Sequence, residues 1–380
     1  MTAADPTAPV PETPRAARGP HAPDVPEDPR APDVPEGPDV PELPDVPELP
    51  DGPGGFAEAG PGPLVLVTSR SFSSGALDLN RRLREAGCRV VRGAPSHDPA
   101  ELAGPLREAV AWIAGTGPVT AAHLAAAPRL RIVARYGVGV DAVDRAAAAR
   151  LGILVTNTPG ANTRAVADHT LALLLAAVRG VALGNRRIRE GDWRPWRSRE
   201  LAGATVGVVG LGRVGREVTA RLTGFGCRVL GHDPLLGEPA LRELGVTPVP
   251  FAELPRRCDI VTLHAPGGRT LVTASWLATA ASPLILVNTA RGDLVDEAAL
   301  AEALRAGRLA AYAADTLHAE HGGAGGPLLA EDLRDRVILT PHVAAQTVEA
   351  VDRMGAAAVD SVLAVLAGRT PAHLVADRPG

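Results

Sequence analysis

The sequence of 380 residues contains no lysine, so all 39 of its basic residues are arginines. Chemistry that depends on a lysine Schiff base is therefore excluded. There are only three cysteines, Cys88, Cys227 and Cys258, and they lack the paired spacing of a disulfide framework or a zinc site. No apolar run approaches the ~20 residues that a membrane-spanning helix needs. We expect a cytoplasmic protein that contacts neither membrane nor nucleic acid and holds no metal.

Residues 1–62 differ in composition from the rest of the chain. They hold 17 of the 36 prolines and four copies of Pro-Asp-Val-Pro-Glu. Their three arginines against 13 acids give a net charge of −10, whereas the whole chain carries −4. Such a segment buries too little apolar surface to fold, and its prolines favour extended polyproline II. We predict a disordered acidic tail, unlike a signal or transit peptide, with a partner-docking arm as the alternative.

From residue 63 onwards, short apolar runs alternate with helix-like segments. Runs typical of strands lie at 63–68, 88–91, 111–114, 131–134, 152–157, 205–209, 227–232, 259–264, 284–288, 310–314 and 337–339. Helical patterns lie between many of them, at 76–87, 99–109 and 120–126, and one long apolar pattern runs over 163–188. Alternating strands and helices are typical of βαβ units and parallel sheets. A helix as apolar as 163–188 is expected to be buried in a core or against a second subunit.

The stretch from Thr205 to Asp233 has the pattern of a dinucleotide-binding unit. An apolar run ends in Gly210-x-Gly212-x-x-Gly215, and a helical segment leads to a second apolar run that ends in Asp233. The first glycine permits a tight turn, the second lets a pyrophosphate approach the backbone, and the third lets the helix pack on the strand. The helix N-terminus attracts the phosphates. A glycine-rich turn without a nucleotide is the alternative.

The acid at the end of that second run bears on the choice of cofactor. Asp233 lies 18 residues after Gly215, where a carboxylate can accept hydrogen bonds from the adenosine ribose. Its charge would repel a 2′-phosphate, so it favours NAD over NADP. In the helical segment between them, Val218, Leu222 and Phe225 are spaced to form one buried face.

Four later strands end in polar or special residues. These ends are His264-Ala265-Pro266, Thr289-Ala290-Arg291-Gly292, Asp315 and Thr340-Pro341-His342. Ligands of open α/β sheets bind outside the carboxyl ends of the strands. We therefore expect these groups to share the edge that carries the glycine motif.

Three ionisable residues in this region would suit the reduction of a keto acid by a nicotinamide cofactor. Arg291 could hold a carboxylate bidentately. His342 could donate a proton to the carbonyl oxygen, and Glu320 could orient it and favour its charged form. The alternatives are a surface arginine, a loop charge and a satisfied core histidine. Of the three nearby histidines only His318 and His321 are close in sequence, and His342 already has a role, so we do not expect a zinc site.

Six motifs occur in the order and spacing of one known family. They are Gly137-Val138-Gly139-Val140-Asp141, Asn157-Thr158-Pro159-Gly160, Val166-Ala167-Asp168-His169-Thr170, the glycine motif, Val287-Asn288-Thr289-Ala290-Arg291-Gly292 and Thr340-Pro341-His342. Over about residues 63–370 the chain resembles the D-isomer-specific 2-hydroxyacid dehydrogenase family, the phosphoglycerate dehydrogenase-like group. The resemblance implies an NAD-dependent oxidoreductase of small 2-keto and 2-hydroxy acids.

The resemblance also implies an α/β fold of two Rossmann-like domains with parallel sheets. A discontinuous, flavodoxin-like substrate domain (63–162 and 343–380) would surround a central NAD-binding domain (163–342). Family members commonly form homodimers through the helix that here begins near Ala165. NAD-binding corepressors resembling the C-terminal-binding group share this fold and are the alternative function.

By the same resemblance, motif residues acquire roles. The catalytic residues would be Arg291, Glu320 and His342, and the substrate would also meet Val138 and Gly139. The cofactor-binding residues would be Gly210, Gly212, Arg213, Val214, Gly215, Asp233, Pro266, Thr289 and Asp315.

The chain departs from the family pattern at several positions. Asp168 stands where a glutamate is usual, and the proline that usually follows the catalytic glutamate is replaced by His321. Ala114 stands where phosphoglycerate-using members have an arginine, which disfavours a phosphorylated substrate. Since the sequence ends soon after residue 370, we expect no C-terminal regulatory domain.

Overall fold

Two parallel β-sheets carry the part of the chain that the computed structural model describes, residues 61–318 and 325–375. The predicted α/β class with parallel sheets is confirmed. Residues 1–60 of the predicted tail and the predicted catalytic Glu320 lie outside the described residues, so both remain predictions. The described residues belong to one compact unit.

The first sheet has the strand order β2-β1-β3-β4-β5, and all its pairings are parallel. Its elements run along the chain as β1 (Leu64–Val67), α1 (Leu79–Glu85), β2 (Arg89–Arg92), α2 (Pro99–Glu108), β3 (Ala109–Ala114), α3 (Ala121–Ala125), β4 (Ile132–Arg135), α4 (Arg145–Arg150) and β5 (Leu154–Thr156). Strands β1 and β4 are buried throughout, as expected when helices cover both faces of a sheet. Helix α1 begins later than predicted because the Asp78 side chain caps it at Arg81 N–H.

The long helix predicted over 163–188 is broken, so that prediction was wrong. Helix α5 (Thr163–Arg179) ends at Gly180, and α6 (Val181–Arg189) starts in a direction bent by 60°. Gly180 has a left-handed φ of 65°, which favours glycine and ends a helix. No single helix of the described residues is long and apolar enough to cross a membrane; only α5 and α6 taken as a bent pair satisfy the length and composition criteria.

The second sheet has seven parallel strands in the order β12-β11-β10-β9-β6-β7-β8. Its elements are β6 (Thr205–Val209), α7 (Arg213–Gly224), β7 (Arg228–His232), α8 (Glu238–Glu243), β8 (Thr247–Pro248), α9 (Leu254–Arg257), β9 (Ile260–Leu263), α10 (Ala274–Leu277), β10 (Leu284–Asn288), α11 (Glu297–Arg305), β11 (Leu309–Ala314) and β12 (Val337–Leu339). Strand β6 has β7 on one side and β9 on the other. The strands that follow β6 are therefore added first on one side of it and then on the other. Ligands of doubly wound sheets bind at such a switch point.

The helical face predicted between the glycine motif and Asp233 is confirmed for Val218 and Leu222, but the prediction was wrong for Phe225. Val218 and Leu222 are fully buried in α7, but Phe225 is 45% exposed. The helix ends at Gly224 and Phe225 is its C-cap residue, so Phe225 lies outside the helix that forms the buried face.

The last helix, α12 (Val348–Leu366), returns to the first sheet. Its Met354, Val359 and Val362 pack in one buried cluster with Val65 and Val67 of β1. Val375 then donates its N–H to the β5 oxygen of Val155 at 2.8 Å. Helix α12 and Val375 thus pack on the first sheet, whereas the domain boundaries at 162 and 343 stay a prediction.

Candidate active site

Six adjacent strands of the second sheet bring most of the predicted site residues to one edge. In spatial order from β12 to β7, their carboxyl ends carry Thr340–His342, Asp315, Thr289–Arg291, Pro266, Gly210–Gly215 and Asp233. Because all these strands are parallel, their carboxyl ends lie at one edge. The sheet order therefore gathers residues that are up to 132 positions apart in sequence, from Gly210 to His342, at the switch point beside β6.

The glycine loop has the shape that a pyrophosphate requires. A Cβ on Gly215 would lie 2.0 Å from the oxygen of Gly210, and a Cβ on Gly210, whose φ is 88°, would lie 2.6 Å from the oxygen of His264. These two glycines are therefore needed for backbone packing. By contrast, a Cβ on Gly212 would meet nothing within 4 Å. Gly212 is the N-cap of the 12-residue helix α7, so the open space lies where helix N–H groups attract phosphate.

Asp233 is fixed at the end of β7 over this loop. Its Oδ2 accepts the N–H of Leu211 at 2.7 Å, and its Oδ1 accepts the N–H of Leu235 at 2.8 Å. Each carboxylate oxygen has a further lone pair. The carboxylate is therefore held in place and can still accept ribose hydroxyls.

Arg291 meets the predicted substrate loop, which comes from the first sheet. Its Nε donates to Asp141 Oδ2 at 3.0 Å, and its Nη1 donates to the oxygen of Ala290 at 2.7 Å. A Cβ on Gly139 would lie only 1.8 Å from Arg291 Nη2, so the guanidinium lies directly on the loop backbone. Asn157 Nδ2 donates to the oxygen of Val138 at 2.8 Å and holds the loop from β5. The sequence motif included Asp141, but its contact with Arg291 was not predicted.

A second guanidinium lies buried beneath this loop. Arg135 is 8% exposed at the end of β4, and its Nη1 donates to the oxygens of Ala114 and Tyr136 at 3.0 and 3.2 Å. The pKa of Arg135 is lowered to about 10, because burial and the charge of Arg291 lower it by more than the charge of Asp141 raises it. Arg135 is therefore still charged at neutral pH, and it adds positive potential to the site of Arg291. Its role was not predicted from the sequence.

His342 has an unusual backbone that Asp315 stabilises. The φ of His342 is 54°, which is uncommon for a residue other than glycine. Its N–H donates to the main-chain oxygens of Asp315 and Thr340, both at 3.0 Å. Burial raises the pKa of Asp315, but hydrogen bonds from His169, Thr340, Ala344 and Val343 outweigh it, and the net pKa is lowered. Asp315 thus stays ionised and holds the segment that carries His342.

The remaining predicted positions lie along the same edge. Thr289 is 8% exposed, and its Oγ1 lies 2.7 Å from Thr170 Oγ1 of α5. Pro266 is exposed in the loop after β9. A cavity of about 610 Å³ opens nearby, lined by Gly268, Arg269, Thr270, Thr273, Asp293, Val295, Asp296, Glu297, His318 and Pro327. It contains none of the predicted site residues. Among residues 61–318 and 325–375, no group of three or more His, Cys, Asp or Glu side chains could hold a metal ion.

Comparisons with known proteins show which family this chain resembles. Residues 171–344 match the family model described as D-isomer specific 2-hydroxyacid dehydrogenase, NAD binding domain. A glyoxylate reductase of Korarchaeum cryptofilum is 39% identical over 269 residues, which are 68% of this chain and 80% of that protein. The D-3-phosphoglycerate dehydrogenase of Mycobacterium leprae is 38% identical over 314 residues, which are 80% of this chain and 57% of that protein.

A solved structure, that of the TT0316 protein from Thermus thermophilus, shares the fold with a TM-score of 0.74 and 37% identity, covering 82% of this chain and all of that one. The phosphoglycerate dehydrogenases are longer than this chain, which spans about half of their length. The glyoxylate reductase and the solved structure are covered over most or all of theirs. The chain therefore belongs to the D-isomer-specific 2-hydroxyacid dehydrogenase family.

Proposed function

We propose that this protein is an NAD-dependent oxidoreductase that interconverts a small 2-keto acid and its D-2-hydroxy acid by hydride transfer. The observation that carries the proposal is the meeting of Arg291 with the Val138–Asp141 loop at the edge that also bears the glycine loop. The reduction of a keto acid requires a cation and backbone donors that hold the substrate next to the bound cofactor. Arg291, the Val138–Asp141 loop and the glycine loop could provide these at one place.

Arg291 binds the substrate carboxylate in this proposal. Its guanidinium is 36% exposed at the side chain, so an anion can reach the donors that Asp141 and Ala290 leave open. We propose that the backbone N–H groups of Val138 and Gly139 also donate to this carboxylate. Arg135 adds buried positive charge behind the loop. Together they favour a small anion and polarise its carbonyl.

The cofactor site fits NAD. When bound there, NAD supplies or accepts the hydride. The open space at Gly212 suits the pyrophosphate, and Arg213 and Val214 follow it in the first turn of α7. Asp233 would accept the ribose hydroxyls and repel a 2′-phosphate.

His342 donates the proton to the carbonyl oxygen during reduction and takes it back during oxidation. We propose that Glu320, which is outside the described residues, is the partner of His342 in this acid/base pair. The side chain of His342 is half-buried, which lets it reach a substrate without losing access to solvent protons. We propose an unphosphorylated substrate, which the uncharged Ala114 supports.

We also propose a homodimer in the cytoplasm. Four large apolar side chains in and after α6 are exposed, Val181, Ile188, Trp193 and Trp196, and a second subunit would cover them. The three cysteines are free, which supports a reducing compartment.

The first experiment is a panel of 2-keto acids with NADH, followed by loss of cofactor absorbance. Glyoxylate, pyruvate, hydroxypyruvate and its phosphorylated form separate the candidate substrates. We expect turnover with at least one of them, a roughly 10²–10⁴-fold loss in His342→Ala, and weaker substrate binding in Arg291→Ala. NADH binding without turnover of any keto acid would refute the proposal and favour the corepressor-like alternative.

The second experiment tests Glu320. Glu320→Gln removes the charge and keeps the shape, so kcat for reduction should fall, with the KM for the keto acid little altered. A kcat that matches wild type would show that another residue supports His342.

A further inference from the structure

Helix α5 contacts the segment that carries the proposed acid/base residue. His169 Nε2 lies 2.9 Å from Thr340 Oγ1 and 3.5 Å from Asp315 Oδ1. The His169 side chain is 22% exposed, and that of Asp315 is 1% exposed. The contact joins two residues that are 171 positions apart in sequence, and the proposed reaction gives His169 no role.

The direction of the hydrogen bonds follows from the donor count. Thr340 Oγ1 donates its single proton to Asp315 Oδ1 at 2.6 Å. A hydroxyl has one proton to donate, so the His169 contact needs a proton on Nε2. The result is a chain in which His169 Nε2–H donates to Thr340, and Thr340 donates to Asp315.

Asp315, the last member of this chain of hydrogen bonds, also binds the backbone around His342. Its Oδ1 also accepts the N–H of Val343 at 2.8 Å, and its Oδ2 accepts the N–H of Ala344 at 2.8 Å. Its main-chain oxygen accepts the N–H of His342 at 3.0 Å. The left-handed backbone of His342 is a conformation that persists only when its surroundings fix it. The chain that begins at His169 supplies part of that fixation.

We propose that His169 is a positioning residue for His342, which acts through Thr340 and Asp315 to hold residues 340–344 in the conformation that aims the His342 side chain. The inference rests on the proposed function, because it assigns His169 to the acid/base step. A donor that orients a catalytic loop affects turnover more than substrate binding, since Arg291 and its loop belong to another part of the site.

The test compares two substitutions at one position. His169→Leu keeps a similar volume without a donor, whereas His169→Gln offers an amide nitrogen near the place of Nε2. We expect His169→Leu to lower kcat for keto-acid reduction by about tenfold or more with KM changed less than threefold, and His169→Gln to recover most of kcat. Asp168→Asn is the matched control on the same helix, because Asp168 is exposed and pairs with Arg221 at 2.7 Å; its kinetics should match wild type.

A double substitution checks the route. Thr340→Val removes both hydrogen bonds of the chain, so it should lower kcat at least as much as His169→Leu does, and the double substitution should lower kcat no more than Thr340→Val alone. Additive losses would overturn the route through Thr340.

A readout besides activity separates this inference from the proposed function. Amide hydrogen exchange over residues 340–346 should be faster in His169→Leu than in wild type and should return in His169→Gln, whether or not a substrate is known. If wild type reduces no keto acid, the proposed function fails. The exchange rates then still test whether His169 holds residues 340–344 in place. Unchanged exchange rates and an unchanged kcat in His169→Leu would overturn the positioning role of His169. That result would leave the proposed function unaffected.

Discussion

The substitution Gly139→Ala tests the contact between the two halves of the site most directly. A Cβ at this position would lie 1.8 Å from Arg291 Nη2 and 3.2 Å from Asp141 Oδ2. Gly139 has no left-handed φ, so alanine is compatible with the backbone. The only severe clash is with the end of a flexible side chain. We therefore expect Arg291 to move while the fold stays intact.

The size of the effect follows from the distance that the guanidinium must travel. Non-bonded contact with carbon needs roughly 3.5 Å, and the clash distance is 1.8 Å, so Arg291 must retreat by about 1.7 Å from the place where it would meet the substrate. A displacement of about 1 Å can cost around 10²-fold in rate. Loss of one charge-assisted hydrogen bond costs roughly 1.5–3 kcal/mol. We expect kcat/KM to fall about 10- to 100-fold, mainly through KM, and the free energy of unfolding to change by less than about 1 kcal/mol.

The assay is steady-state reduction of the best 2-keto acid with saturating NADH, together with urea unfolding. Gly104→Ala is the matched control, because a Cβ there meets nothing within 4 Å; it lies within α2, where alanine should stabilise by about 0.5–1 kcal/mol. The same Gly139→Ala change should cost little further activity in an Arg291→Ala background, because the clashing group is gone.

Three outcomes distinguish the explanations. A large loss of stability would mean that the loop backbone, rather than Arg291, meets the new methyl group. An unchanged KM would mean that Arg291 does not bind the substrate where the structure places it. Equal kinetic losses in the wild-type and Arg291→Ala backgrounds would refute the reasoning.

Three further predictions concern other parts of the chain. Asp233→Asn should narrow the preference for NADH over NADPH in a fluorescence titration, because the repulsion of a 2′-phosphate is removed; an unchanged ratio would exclude Asp233 as its source. Asp315 has a lowered pKa, so its contribution to stability is present above the ordinary aspartate pKa of about 3.9 and is lost as the pH falls through its folded value. Urea unfolding should accordingly show the largest gap between wild type and Asp315→Asn at pH 7, and a constant gap down to pH 3 would contradict this. Removing residues 1–62 should leave melting temperature and turnover nearly unchanged, and a large drop in melting temperature would show that they pack on the remaining chain.

Local sequence was sufficient to predict a feature when all the residues that cause it lie in one short segment. The glycine motif is such a case, because the turn at Gly210, the open space at Gly212 and the close packing at Gly215 lie within six residues. The strand ends that carry Arg291 and His342 were also found from sequence, since an apolar run followed by polar residues marks the carboxyl end of a buried strand. The sheet order then decided that these ends are neighbours.

Tertiary structure decided what depends on partners far along the chain. The apolar pattern over 163–188 does not reveal the break at Gly180, whose missing Cβ leaves room for Trp196. Asp141 reaches Arg291 across 150 positions, and His169 reaches Thr340 across 171. Helical and strand periodicity report which face of an element is buried. They do not report which polar group of another element it meets, because that depends on how the two sheets and α5 pack together.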